Sequence, residues 1–150
     1  MGLMNKLGGQ LIQGVLGNMS EIPVEQLQTE FGAYLMDDEY IQTGFKLVRD
    51  AMIITDKRLM QFDKQGATGQ KMRVNSIFLD SICYVTAETA GFGLDDSELE
   101  IVYINNPYMK AHSVNLVSKK FEFPKKYNIQ GLYKMLQEIA YENHLRINEK

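Results

Sequence analysis

What the chain has little of sets the first limits. There is one cysteine, Cys83, so no internal disulfide framework is available, and a reducing compartment fits that usage. There are two histidines, His112 and His144, far apart and outside any spaced ligand motif such as H-E-x-x-H, so neither a metal nor a cofactor is expected. Neither charge sign dominates: 16 basic residues stand against 19 acidic ones, a net charge of −3. That balance argues against nucleic acid and against an anionic bilayer as the main partner, since both call for a basic surface. No run of about 18 apolar residues occurs, so no spanning helix is expected. Glycines and glutamines at Gly8, Gly9, Gln10, Gln13 and Gly14 break up the N-terminal stretch, and no A-x-A-like site follows it, which argues against a signal peptide. Met1-Gly2 meets only part of a myristoylation signal, because Lys6 stands where Ser or Thr is required. These readings predict a cytoplasmic protein.

What is present is enough for one globular domain: 150 residues, 45% of them hydrophobic. Residues 1–19 form a separate piece. Apolar residues at positions 3, 4, 7, 11, 12, 15, 16 and 19 make a helical stripe. Three interior glycines each cost roughly 1 kcal/mol relative to alanine, so this arm needs a packing partner to be helical. Its polar face carries Lys6 and is otherwise Asn, Gln and Gly, whereas a membrane-surface helix displays several Lys or Arg. Docking on protein is therefore preferred, through Leu7, Leu11, Ile12, Val15 and Leu16. A bilayer surface is the less favoured partner.

Residues 20–36 predict a leading helix, capped by Ser20, with Pro23 near its first turn and Val24, Leu27, Phe31, Tyr34 and Leu35 on its buried face. Strands are expected over 40–127. Ala51–Thr55 is a short apolar run, Thr55-Asp56-Lys57 a tight turn, and Arg58–Asp63 alternates, Leu59 and Gln61 against Met60 and Phe62. Asp63-Lys64-Gln65-Gly66 is turn chemistry. Met72–Phe78 alternates next, followed by Ser81–Thr89 with Ile82, Tyr84 and Thr86 on one face and Cys83, Val85 and Ala87 on the other. Leu99, Ile101 and Tyr103 mark another strand. Val114 and Leu116 line a further one, and Phe121 and Phe123 point inward before Pro124. An amphipathic helix over 128–146 closes the chain, burying Ile129, Leu132, Leu136, Ile139 and Ala140 with Tyr133 and Met135 at the margins.

Two blocks carry a family resemblance. The first is Val48-Arg49-Asp50, then Thr55-Asp56-Lys57-Arg58-Leu59, then Asp63-Lys64-Gln65-Gly66 with Thr68-Gly69 and Lys71. The second is Glu88-Thr89-Ala90-Gly91 followed by Asp95-Asp96-Ser97-Glu98-Leu99. From about Ser20 to Leu145 the chain resembles the bacterial pleckstrin-homology-like (PH-like) family. The resemblance implies a mainly β (α+β) fold, seven antiparallel strands in a bent sheet or barrel capped by a C-terminal helix, with helical segments before it. Members of that family form ring-like homo-oligomers, so it also implies self-association. It implies no activity, because one fold hosts many functions.

Candidate chemistry is thin. Cys83 sits within strand alternation, the setting of a small buried thiol rather than a nucleophile. Gly66–Lys71 lacks the spacing of a phosphate loop and joins strands instead of opening a helix. Asp95, Asp96, Glu98 and Glu100 lack calcium-loop spacing, and Glu98 and Glu100 alternate with Leu99 and Ile101 as a solvent face does. No catalytic residue is expected, and the chain is read as no enzyme. The basic residues Lys46, Arg49, Lys57 and Arg58 invite comparison with the anion sites of eukaryotic pleckstrin-homology domains. Pairing of Arg49 with Asp56 or Asp63 to fix strand register is the preferred reading. Lys119, Lys120, Lys125 and Lys126 form a second basic cluster, read as edge-strand protection or as an anionic-surface contact. The expected role is an interaction or assembly module whose partner is itself, with another protein as a further partner. Binding of anionic lipid or a phosphorylated ligand through these clusters is the alternative.

Overall fold

The computed structural model describes residues 22–48, 50–65, 71–90 and 96–149. Its strands form two sheets, of four strands (β1-β2-β3-β4) and three (β5-β6-β7), and the chain divides into two compact units, residues 1–76 and 77–150. The single bent sheet expected from the sequence is thus two hydrogen-bonded sheets.

In the first unit, helix α1 spans Val24–Phe31, half the expected length. Pro23 is extended at its N-cap, and after Phe31 the backbone tightens into a 3-10 turn, Gly32–Tyr34. That tightening breaks the 3.6-residue period. Leu27 and Phe31 are buried and Leu35 is partly so, whereas Val24 and Tyr34, expected inside, are exposed. Strands β1 (Ile41–Lys46), β2 (Ala51–Thr55) and β3 (Arg58–Gln65) pair antiparallel in sequence order. Strand β3 runs through Asp63–Gln65, which the sequence marked as a turn. Its alternation holds, but both faces are buried: Leu59, Met60, Gln61 and Phe62 are all interior. Strand β4 (Lys71–Phe78) lies beside β3. On one face Leu27 and Phe31 pack with Ile41, Ile53, Met60 and Phe62, and the Phe31 and Phe62 rings lie 4.3 Å apart.

In the second unit, a 3-10 turn (Leu79–Ser81) leads into β5 (Ile82–Glu88). Strands β6 (Ser97–Ile104) and β7 (Leu116–Phe123) complete the sheet. A bulge between Ile82 and Tyr84 breaks the alternation read from the sequence. Ile82 is therefore buried, as Val85 is, whereas Tyr84 and Thr86 face solvent. Val114 precedes β7 and is exposed. Leu99, Ile101, Phe121 and Phe123 fill the inner face.

Helix α2 (Gln130–Ile147) packs along β5 and the preceding 3-10 turn. The expected apolar face is buried, and Met135, placed at its margin, is fully inside. One buried polar residue was not foreseen. Asn143 donates to the carbonyls of Leu79 (2.8 Å) and Ile82 (2.9 Å) and accepts from Arg146 (3.1 Å), which also donates to Asp80 O (2.8 Å). This clasp satisfies carbonyls where the chain turns from helix to strand. Asn143→Ala leaves them without a donor and is expected to cost roughly 2 kcal/mol. Urea denaturation measures it; a loss below about 0.5 kcal/mol would show the clasp to be dispensable.

Candidate interaction surfaces

The T-D-K-R-L motif folds as the β2–β3 turn, and its polar groups are spent on holding the chain. Thr55 Oγ1 accepts the amides of Lys57 (3.1 Å) and Arg58 (3.0 Å) and donates to Glu39 Oε2 at 2.6 Å. Arg58 grips the same carboxylate at both oxygens, Nε to Oε2 at 2.8 Å and Nη2 to Oε1 at 2.9 Å. Its remaining donors reach Ser76 Oγ (2.8 Å) and Tyr34 O (2.7 Å). Met36 N–H adds a bond to Glu39 Oε1 at 2.9 Å. Burial alone would raise the Glu39 pKa; the hydrogen bonds from Arg58, Thr55 and Met36, with the Arg58 charge, outweigh it and hold the carboxyl below its ordinary value. Asp56 accepts Tyr40 N–H at 2.8 Å and pairs with Lys57 Nζ at 3.0 Å. Lys57 Nζ also donates to Asp38 O. The motif is thus a fastening between the segment before β1 and the β2–β3 turn.

The basic residues that the structure describes differ in setting. Arg58 is enclosed in its ion pair, Lys57 lies along the turn, and Lys46 is exposed at the end of β1. Arg49 and the arm positions Leu7, Leu11, Ile12, Val15 and Leu16 lie outside the described residues. Lys119 and Lys120 are neighbours on β7 and so project to opposite faces. Lys119 is half-buried on the face of Phe121 and Phe123; Lys120 is exposed and 3.6 Å from Glu98. Lys125 and Lys126 follow β7 in exposed chain, Lys126 standing 5.6 Å from the Tyr127 ring centre.

Cys83 sits at the β5 bulge, half-buried, its thiol 3.3 Å from Val102 O. Burial raises its pKa, the opposite of what a thiolate nucleophile needs. Among the described residues, no three His, Cys, Asp or Glu side chains converge to hold a metal ion, and no helix is long and apolar enough to cross a membrane.

The outer face of β5-β6-β7 was only half legible. Glu98 and Glu100 read as solvent-facing, but the register adds two more carboxylates. Glu88 lies opposite Glu98, and Glu98 opposite Glu122, a row of three. Two residues along, Thr86, Glu100 and Lys120 form the next row, then Tyr84, Val102 and Ser118. No local pattern announces such alignment, because it joins residues ten and twenty-four positions apart in the chain.

Compared with known proteins, the sequence model described as bacterial PH domain matches residues 10–140. The chain belongs to that family. It is 38% identical over 129 residues to the uncharacterised protein YjqA of Bacillus subtilis (strain 168), covering 86% of this chain and 97% of that protein. Among solved structures, this PH domain is similar to the pleckstrin homology domain from Shewanella amazonensis SB2B, with a TM-score of 0.60 and 32% identity over 86% of this chain and 97% of the other. It is also similar to a DUF1696-family protein with a pleckstrin-homology domain from Shewanella loihica PV-4, with a TM-score of 0.61 and 27% identity over 81% of this chain and 96% of that one. The PH-like fold implied by the two sequence blocks is the fold of the chain.

Proposed function

We propose that this PH domain is a non-catalytic cytoplasmic interaction module that self-associates into a homo-oligomer, its N-terminal arm packing between or against subunits. The observation that carries the reading is a second apolar stripe on α2. Its inner face is buried, yet Tyr141 and Leu145, one turn apart on the outer side, are 57% and 48% exposed. An apolar pair set among exposed polar neighbours offers a seat for another apolar helix face. The arm carries such a face in Leu7, Leu11, Ile12, Val15 and Leu16, and its glycines make it depend on a partner.

Light scattering tests this on the full chain beside a chain beginning at Ser20 and a Tyr141→Ser, Leu145→Ser variant. The expected result is a discrete oligomer for the full chain that falls to monomer in both altered proteins. A full chain that is already monomeric overturns the reading, and an oligomer that survives both changes removes the arm and the stripe from it.

A further inference from the structure

We propose that the outer face of β5-β6-β7 is a docking surface for a protein segment that presents an apolar anchor beside Lys or Arg. The inference rests on the reading of the chain as an interaction module, but not on its self-association. At one end of the face, Tyr84, 64% exposed, stands opposite half-buried Val102, and Leu116, 50% exposed, lies one row further on, opposite Ile104. Tyrosine is suited to such a seat, giving rigid apolar area with a polar tip.

Moving along the strands, the same face turns acidic. Glu88, Glu98 and Glu122 stand in one row across all three strands, with Glu100 in the adjoining row. Directly opposed like charges destabilise a sheet, since cross-strand neighbours lie only about 5 Å apart. Lys120 is the one cation these strands place on this face, and it lies 3.6 Å from Glu98 with both side chains partly in solvent. Four carboxylates against one ammonium leave a negative field beside an apolar platform. Tyr84 and Glu88 are four residues apart on β5, roughly 13 Å at strand rise. An anchor at one end and cations about that distance away would meet both features. Such a segment would cover Tyr84, Val102 and Leu116 and relieve the repulsion in the glutamate row together, whereas an acidic or purely apolar segment would do one or neither.

The test uses the whole 150-residue chain and fluorescein-labelled peptides in which serine alternates with Leu, Phe, Lys and Arg in that order. One control peptide replaces both cations with Glu, and another replaces both apolar residues with Ser. The expected anisotropy result is saturable binding of the first peptide that weakens with salt, and binding at least about tenfold weaker for either control. Glu98→Gln with Glu122→Gln removes repulsion and leaves the fold intact by circular dichroism; it is expected to weaken binding about tenfold, as is Tyr84→Ser. Glu138→Gln on α2 removes a carboxylate elsewhere and is expected to change nothing. Absence of saturable binding, equal binding of either control, or equal loss in the Glu138 variant overturns the proposal. Light scattering on the same variants is expected to show an unaltered mass, which keeps this surface distinct from the self-association stripe.

Discussion

Glu39→Ala is expected to destabilise the protein by about 3 to 5 kcal/mol, the range for breaking a buried ion pair from one side. The Glu39 side chain is 0% exposed and that of Arg58 12%. Removing the carboxylate leaves an enclosed guanidinium holding only Ser76 Oγ and Tyr34 O, takes the acceptor from Met36 N–H, and leaves Thr55 Oγ1 the longer bond to Arg58 O at 3.2 Å. The cost lies in the orphaned partners rather than in the attraction itself. A Glu39→Leu, Arg58→Met double variant is therefore expected to recover much of the loss, since both charges leave together. Urea unfolding of the native protein, Glu39→Leu, Arg58→Met and the double variant measures the coupling. Additive losses would show that the bidentate pair is incidental to stability.

The same carboxylate sets a pH signature. Its folded pKa lies below the ordinary value of 4.5, so its contribution is complete above that value and is lost as pH falls through the lower folded one. Glu39→Gln has no charge to titrate. The stability gap between native protein and this variant is expected to be widest near neutrality and to narrow as the medium becomes acid. A gap that stays constant or widens in acid would mean that the carboxylate is not held charged by Arg58.

How far the sequence discloses these features depends on whether the cause is local. The β2–β3 turn was legible because Thr55-Asp56-Lys57 is turn chemistry between two apolar strands, and the alternation in β3 and β6 follows directly from side chains pointing to opposite faces. Glu39 was not legible. It stands in an acidic run, Asp37-Asp38-Glu39, that reads as solvated turn, and its partner lies nineteen residues on. Arg58 reads from the sequence as a candidate anion-binding residue, with the pairing reading given to Arg49, and only the fold brings the Glu39 carboxylate to Arg58. The bulge at Ile82 has no mark in the sequence, since one extra residue leaves the composition of a strand unchanged while shifting its faces. Lys119 and Lys120 likewise form a cluster in one dimension and lie on two faces in three. Asn143 sits within a stripe of apolar helix positions, and its reason lies in carbonyls more than sixty residues earlier.

The contact between α1 and β1 makes the other large effect predictable from geometry. Gly44 faces Leu27 across the seam where the helix lies on the first sheet. A methyl group built on Gly44 would stand 2.6 Å from Leu27 Cδ1 and 2.9 Å from Cδ2, closer than carbon atoms approach. Leu27 is fully buried among Phe31, Ile41, Ile53, Met60 and Phe62, so it has little room to yield. Gly44→Ala is therefore expected to cost about 1 to 3 kcal/mol through overpacking. Leu27→Ala removes the same contact from the other side and leaves a cavity, at about 3 kcal/mol or more. The two changes are not expected to add. In the double variant the new methyl occupies part of the space that Leu27 vacates, so the combined loss falls short of the sum by about 1 kcal/mol or more. Thermal or urea unfolding of the two single variants and the double variant tests this. Strict additivity would mean that helix and strand relax independently, and that a residue without a side chain is not what lets α1 settle on β1.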